Sequence, residues 1–137
     1  MSIKLHPQLE QDCIPLGVIG TSQLLLHKNA LVPWFIIVPD THLNEIYKLE
    51  LSHQQSIHSE INQIARFVEN YFSADKLNIA SIGNIVPQLH IHIIARHIDD
   101  FCWPKPVWGQ DGFQAYKESD VTEISTQLIQ QAIIKTP

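Results

Sequence analysis

The segment Pro87-Gln88-Leu89-His90-Ile91-His92-Ile93-Ile94-Ala95-Arg96 constrains the fold more than any other part of the chain. It reads as a buried β-strand, yet two imidazoles stand two positions apart within it. Side chains alternate between the faces of a strand, so Leu89, Ile91 and Ile93 point one way and Gln88, His90, His92 and Ile94 the other. One side is an apolar anchor and the other a polar working surface. Two histidines on one face of a core strand need hydrogen-bond partners or a ligand, because burying polar groups unpaired is costly.

Composition narrows what that surface can serve. A chain of 137 residues makes one domain of ordinary size, 1–137, able to bury roughly two thirds of its unfolded surface. The formal charge is -5, from 14 acidic and 9 basic residues, with no long run of either sign and no aromatics interleaved with Lys or Arg. That balance argues against a DNA or RNA duplex and against an anionic membrane as partner, while a small nucleotide fits a local site. Eight histidines favour chemistry near neutral pH. Cys13 and Cys102 form no CxxC pair, which suits a reducing compartment, and Cys102 has no basic neighbour evident on a rigid element. No apolar leader with a small-residue cleavage site opens the sequence, and no apolar run approaches the roughly 18 residues of a membrane span. The expected location is cytoplasmic.

Periodicity gives the order of elements. Leu5 to Cys13 reads as a short helix or extended arm. Leu16–Gly20 and Leu24–His27 read as a hairpin joined through Thr21-Ser22-Gln23. Pro33 and Pro39 bracket Trp34-Phe35-Ile36-Ile37-Val38, a β-branched run too short for a helix and read as a central strand. Asp40 or Thr41 is positioned to cap a helix, with a polar break over 52–56. Ile57, Ile61, Ile64, Val68 and Tyr71 then recur at helical spacing. Leu77–Ile82 and Ile85–His97 read as strands around a Gly83-Asn84 turn. Prolines rule out a regular helix over 101–109, where Trp103 and Trp108 point to a packed segment, and 121–134 reads as a final helix. The fold class is α+β: an antiparallel sheet with a long helix packed on it, and 98–137 as a C-terminal extension on the core or on a dimer partner.

Three chemistries suit the histidine pair. The two rings can be structural, bonded to each other or to backbone. They can ligate a metal, zinc above all, but His97 has the wrong parity and no Glu lies between His92 and Glu118, so the reading carries no metal site. Or a neutral imidazole can attack phosphorus, provided its other nitrogen is held by an acceptor, while the second ring donates to a phosphoryl oxygen. Arg96 shares the face of His90 by parity and could meet a polyphosphate tail, or form an ordinary surface ion pair near the strand end. Trp108 could stack on a base or pack in the core. His6, His53 and His58 sit in polar surroundings and read as solvent-facing.

Phe35-Ile36-Ile37-Val38-Pro39 followed by a helix, then Leu77 to Asn84, then Val86 to Arg96, and finally Trp103 to Gly109 together resemble the histidine triad, or HIT, superfamily of nucleotide hydrolases and transferases. The likeness is to its bacterial members related to dinucleoside polyphosphate hydrolases. It implies a homodimer acting on a purine nucleoside phosphoanhydride or phosphoramidate. No cofactor is implied, magnesium entering only with the substrate phosphates. The family signature is three alternating histidines. Here they are matched by Gln88, His90 and His92, with His90 as nucleophile, His92 as phosphate contact and the Gln88 carbonyl orienting the nucleophile. Asn84 matches a phosphate-loop position and Asn78 a supporting asparagine; His27 and Asn29 lie where ribose or phosphate contacts fall, and His42 matches a position after the strand. Gln88, Trp34 in the place of a histidine, and Ile85 in the place of a phosphate-binding hydroxyl depart from the pattern. A nucleotide-binding protein without turnover, or a metal-dependent hydrolase, are the alternatives.

Overall fold

A computed structural model describes residues 3–136; Met1, Ser2 and Pro137, the ends of the expected domain, lie outside the described residues. The strands are β1 (Cys13–Ile19), β2 (Ser22–His27), β3 (Trp34–Val38), β4 (Lys76–Ala80) and β5 (Ile91–Arg96). The helices are α1 (Pro7–Asp12), α2 (Leu51–Phe72) and α3 (Glu118–Gln130). All strand pairs are antiparallel in one sheet ordered β1-β2-β3-β5-β4. The fold is therefore α+β, with the 22-residue α2 laid on the sheet.

Strand alternation sorts the core into two layers. Phe35, Ile37, Ile93 and Ala95 face α2 and α3, where they meet Ile64, Phe67, Val68, Ile124 and Leu128. Trp34, Ile36, Val38 and Ile94 face the other way and are covered by Ile3, Leu9 and Val107. Every residue of β3 is buried, as expected of a centre strand between two proline boundaries. Each fully buried aliphatic chain contributes roughly 1.5–3 kcal/mol of transfer free energy, so both faces resist exposure. Among the described residues no helix is long and apolar enough to cross a membrane.

Several boundaries differ from the sequence reading, each for a reason of packing. No helix starts at Asp40 or Thr41. Asp40 accepts the Ile3 N–H and Thr41 Oγ accepts that of Leu43, leaving an irregular link with one 3₁₀ turn over Ile46–Lys48. The polar stretch 52–56 is not a break but the first turns of α2, because the buried stripe beginning at Ile57 fixes the helix from its other side. The last strand is only Ile91–Arg96. Its β3 partner ends in register at Ile37↔Ile91 and its β4 partner at Ala80↔His92, so residues 84–90 have no neighbour to pair with. The hairpin turns on Gly20-Thr21, where Gly20 takes the left-handed φ of 56° that side chains disfavour. The final helix ends at Gln130, and the chain returns to pair Lys135 with Val18.

Candidate active site

Register builds an aromatic row across the sheet. Ile36 pairs with His92 and Trp34 with Ile94, so Trp34 is the diagonal neighbour of His92 on one face. The indole spans that diagonal: Trp34 Nε1–H donates to His92 Nδ1 at 2.9 Å. On its other side His27, one step past the Leu26↔Phe35 pair, stacks on Trp34 at 4.3 Å and 14°. Trp108 sets its ring edge-on to both Trp34 (5.7 Å) and His92 (5.1 Å). The two imidazoles of the His-x-His pair lie 4.9 Å apart, although His90 precedes the strand.

Hydrogen bonding assigns the two rings opposite tautomers. His90 Nδ1 stands 2.7 Å from the Gln88 carbonyl oxygen, which can only accept, so this nitrogen carries the proton and Nε2 keeps a lone pair. His92 Nδ1 accepts from Trp34, so the proton of His92 is on Nε2. One ring offers a nucleophile and its neighbour a donor. Burial pushes His92 down to about 3, with His90 and His27 adding to the effect, so it is neutral across the physiological range. His90 is also lowered by burial, against the pull of the Gln88 carbonyl and with His6 adding to it. His27 is lowered by burial, against Asp12; its Nδ1 accepts the Asn29 N–H.

A cleft of about 280 Å³ opens beside His90, lined by Ser81, Gly83, Asn84, Pro87, Gln88, Leu89, Asn44 and Glu45. His92 is not in that lining. A larger hollow of about 440 Å³ lies elsewhere, around Val18, Glu60 and Lys135. Among the described residues no group of three or more His, Cys, Asp or Glu side chains converges as a metal site.

The structure separates the remaining sequence candidates. Asn84 is exposed on the cleft wall. Arg96 is neither a polyphosphate contact nor a surface ion pair: it is 1% exposed and donates to Asp100 (2.7 and 3.1 Å), to Asn78 (2.9 Å) and to the Cys102 sulfur (3.6 Å). That cluster occupies the far end of β5, about 20 Å from His90 at strand rise. Asn78 is thus a partner of Arg96 rather than a lining residue of the cleft, and Cys102 does have a basic neighbour. Asn29 spends its side chain on Leu31 N, Gln114 N and the Gly112 carbonyl, pinning the C-terminal segment instead of facing a ribose. Trp108 packs on His92 and is half-buried.

Three features escaped the sequence reading. The Trp34 indole is a hydrogen-bond donor to the pair, a role its residue type allowed but only register reveals. His6 is half-buried rather than solvent-facing: its Nδ1 accepts the Gln8 N–H at the start of α1, where Pro7 takes the first helical position. His53 is half-buried too, with Nε2 buried and unpartnered.

Comparison with known proteins places the fold. The HIT domain pattern matches residues 9–99. A histidine triad protein of Bradyrhizobium japonicum is 38% identical over 96% of this chain and 98% of its own, with a TM-score of 0.89. Histidine triad proteins of Sinorhizobium meliloti (34% identity, 94% and 96% coverage, TM-score 0.90) and Marinobacter aquaeolei (35%, 96% and 95%, TM-score 0.88) are similarly alike. No curated protein matches the sequence. The sheet thus brings together two neutral imidazoles in opposite tautomers, the first of which lines an open cleft. The chain belongs to the histidine triad (HIT) family.

Proposed function

We propose that this chain is a nucleotide hydrolase or nucleotidyl transferase acting on a purine nucleoside phosphoanhydride or phosphoramidate, in the manner of dinucleoside polyphosphate hydrolases. His90 Nε2 attacks the α-phosphorus; the bond to the leaving group breaks and its electron pair departs with that group. The His92 Nε2–H and the Asn84 amide are the donors for the phosphoryl oxygens as charge develops. Water then adds to phosphorus, gives up a proton, and His90 leaves as the neutral imidazole. Magnesium belongs to this reading as a counter-ion of the substrate phosphates, not as a resident cofactor.

The observation that carries the reading is the 2.7 Å contact from His90 Nδ1 to the Gln88 carbonyl, which leaves Nε2 unprotonated beside the cleft. Gln88 supports it despite replacing a histidine, because the contact uses backbone. A second reading, nucleotide binding without turnover, draws on His92 standing outside the cleft lining, against Trp108, and on Ile85, 86% exposed. Incubation with a diadenosine polyphosphate and with adenosine phosphoramidate, followed by acid quench and intact mass, separates the two. The native chain is expected to carry one nucleotidyl group at His90 and His90→Ala none; indistinguishable background from both proteins leaves only the binding reading. A homodimer is part of the proposal, supported by β4 as an edge strand with exposed Ile79.

A further inference from the structure

Gln88 has two functions at once. While its carbonyl holds His90, its side chain reaches the opposite way and binds the backbone on both sides of Leu5: Oε1 accepts the His6 N–H at 2.8 Å and Nε2 donates to the Lys4 carbonyl at 3.1 Å. A second tether runs from the Ile3 N–H to Asp40. The segment ahead of α1 is thereby fixed along the wall of the histidine site, with Ile3 buried as its anchor. His6 comes close enough to His90 for its charge to bear on the nucleophile.

The clamp creates a second lobe of about 250 Å³, lined by Lys4, His6, Thr41, His42, Asn44, Pro87 and Gln88. It shares Asn44, Pro87 and Gln88 with the cleft at His90, so one extended molecule can span both. Their charges differ. The first lobe holds the nucleophile, the Asn84 amide and the Glu45 carboxylate, whereas the second holds an ammonium and two imidazoles. Since His6 Nδ1 is occupied by the Gln8 N–H, the neutral ring of His6 bears its proton on Nε2 and is a donor even when uncharged. An oligophosphate leaving the reaction centre is repelled by Glu45 and attracted by Lys4.

We propose that the Lys4–His6–His42 lobe is a leaving-group subsite for an anionic oligophosphate chain, so that this protein prefers nucleoside polyphosphates over substrates whose leaving group is an uncharged amine. The inference rests on the nucleotidyl-histidine reading above and names its substrate class. As the bond from His90 Nε2 to phosphorus forms, the bridging P–O bond breaks and its electron pair stays on the oligophosphate oxygen. Lys4 and the His6 Nε2–H hold the distal phosphates of the departing chain in the second lobe. Gln88 acts as a positioning residue for both halves of the site.

The test uses inorganic tripolyphosphate as probe, because its binding requires no turnover. Calorimetry on the native chain, Lys4→Ala, His6→Asn and the double variant compares affinities, with Lys105→Ala as a charge control outside both lobes. His6→Asn keeps a side-chain acceptor for the Gln8 N–H, so α1 retains its cap. Native binding that weakens about tenfold or more in the double variant, and less than about twofold in the control, is expected. No native binding, or equal loss in the control, overturns the subsite. In turnover, the double variant is expected to lose more kcat/KM on a dinucleoside polyphosphate than on adenosine phosphoramidate, because any effect of His6 on His90 falls on both substrates alike; equal losses on both overturn the proposal. Tripolyphosphate binding without any adduct at His90 would instead defeat the nucleotidyl-histidine reading and leave the anion subsite standing.

Discussion

Burying His92 should make the protein sensitive to mild acid, and the size of the effect follows from the structure. In the unfolded chain its imidazole titrates near 6.5, whereas burial holds it down at about 3 in the folded state. Between those values the unfolded state binds a proton that the native state refuses, so stability rises with pH and is lost as pH falls below about 6.5. At about pH 5 the loss from this one residue is about 2 kcal/mol, a sizeable share of the roughly 5–15 kcal/mol that keeps a domain folded. His90 and His27 are lowered as well and act with the same sign. Glu60, raised by burial against its bond to Ser22, acts with the opposite sign. All three remain in His92→Gln, so the difference between native and variant isolates His92. Urea unfolding of both proteins at a series of pH values from about 7.5 to 5 measures it. The native chain should lose about 2 kcal/mol more than His92→Gln across that range. Parallel stability curves, or a His92 ring that titrates near its ordinary value by NMR, would refute the argument from burial.

Trp34→Phe keeps an aromatic ring beside His27 but removes the Nε1–H that fixes His92, leaving a buried acceptor unpaired at a cost of about 1–3 kcal/mol. Nitrogen-15 spectra should show His92 protonated on Nε2 in the native chain and on both nitrogens in exchange in the variant; a native ring protonated on Nδ1 would contradict the assignment. Asp100 accepts from Arg96 and from the backbone of His97, Cys102 and Trp103. Burial opposes ionisation of its carboxyl, but those donors hold it down at about 2. Asp100→Ala therefore strands the Arg96 charge and should cost about 3–5 kcal/mol in urea or thermal unfolding, while a loss under about 1 kcal/mol would show the pair to be dispensable.

Much of the frame was legible from spacing alone. The prolines at 33 and 39 delimit β3 to the residue, and the apolar stripe from Ile57 to Val68 is the face that α2 buries. The two histidines of the pair do lie near each other, although only His92 belongs to the strand. What misled the reading was polarity taken as a local property. Ser52 to Ser56 reads as a break, yet helix formation there is decided by the burial that begins one turn later. Arg96 reads as a surface charge, yet its partners Asp100 and Asn78 come from a following turn and a neighbouring strand.

By itself the sequence determined an α+β sheet with two neighbouring imidazoles at the head of one strand, because apolar alternation and proline boundaries are properties of neighbouring residues. Only the tertiary structure decided which nitrogen of each ring holds a proton, since the Trp34 indole arrives from a strand 58 residues away in sequence and the register alone puts it against His92. It likewise decided that Gln88 faces two ways, with its carbonyl on His90 and its amide on the segment before α1, more than 80 residues earlier. Hydrogen bonds across such separations depend on how the sheet and the chain ends pack, and no local pattern encodes that.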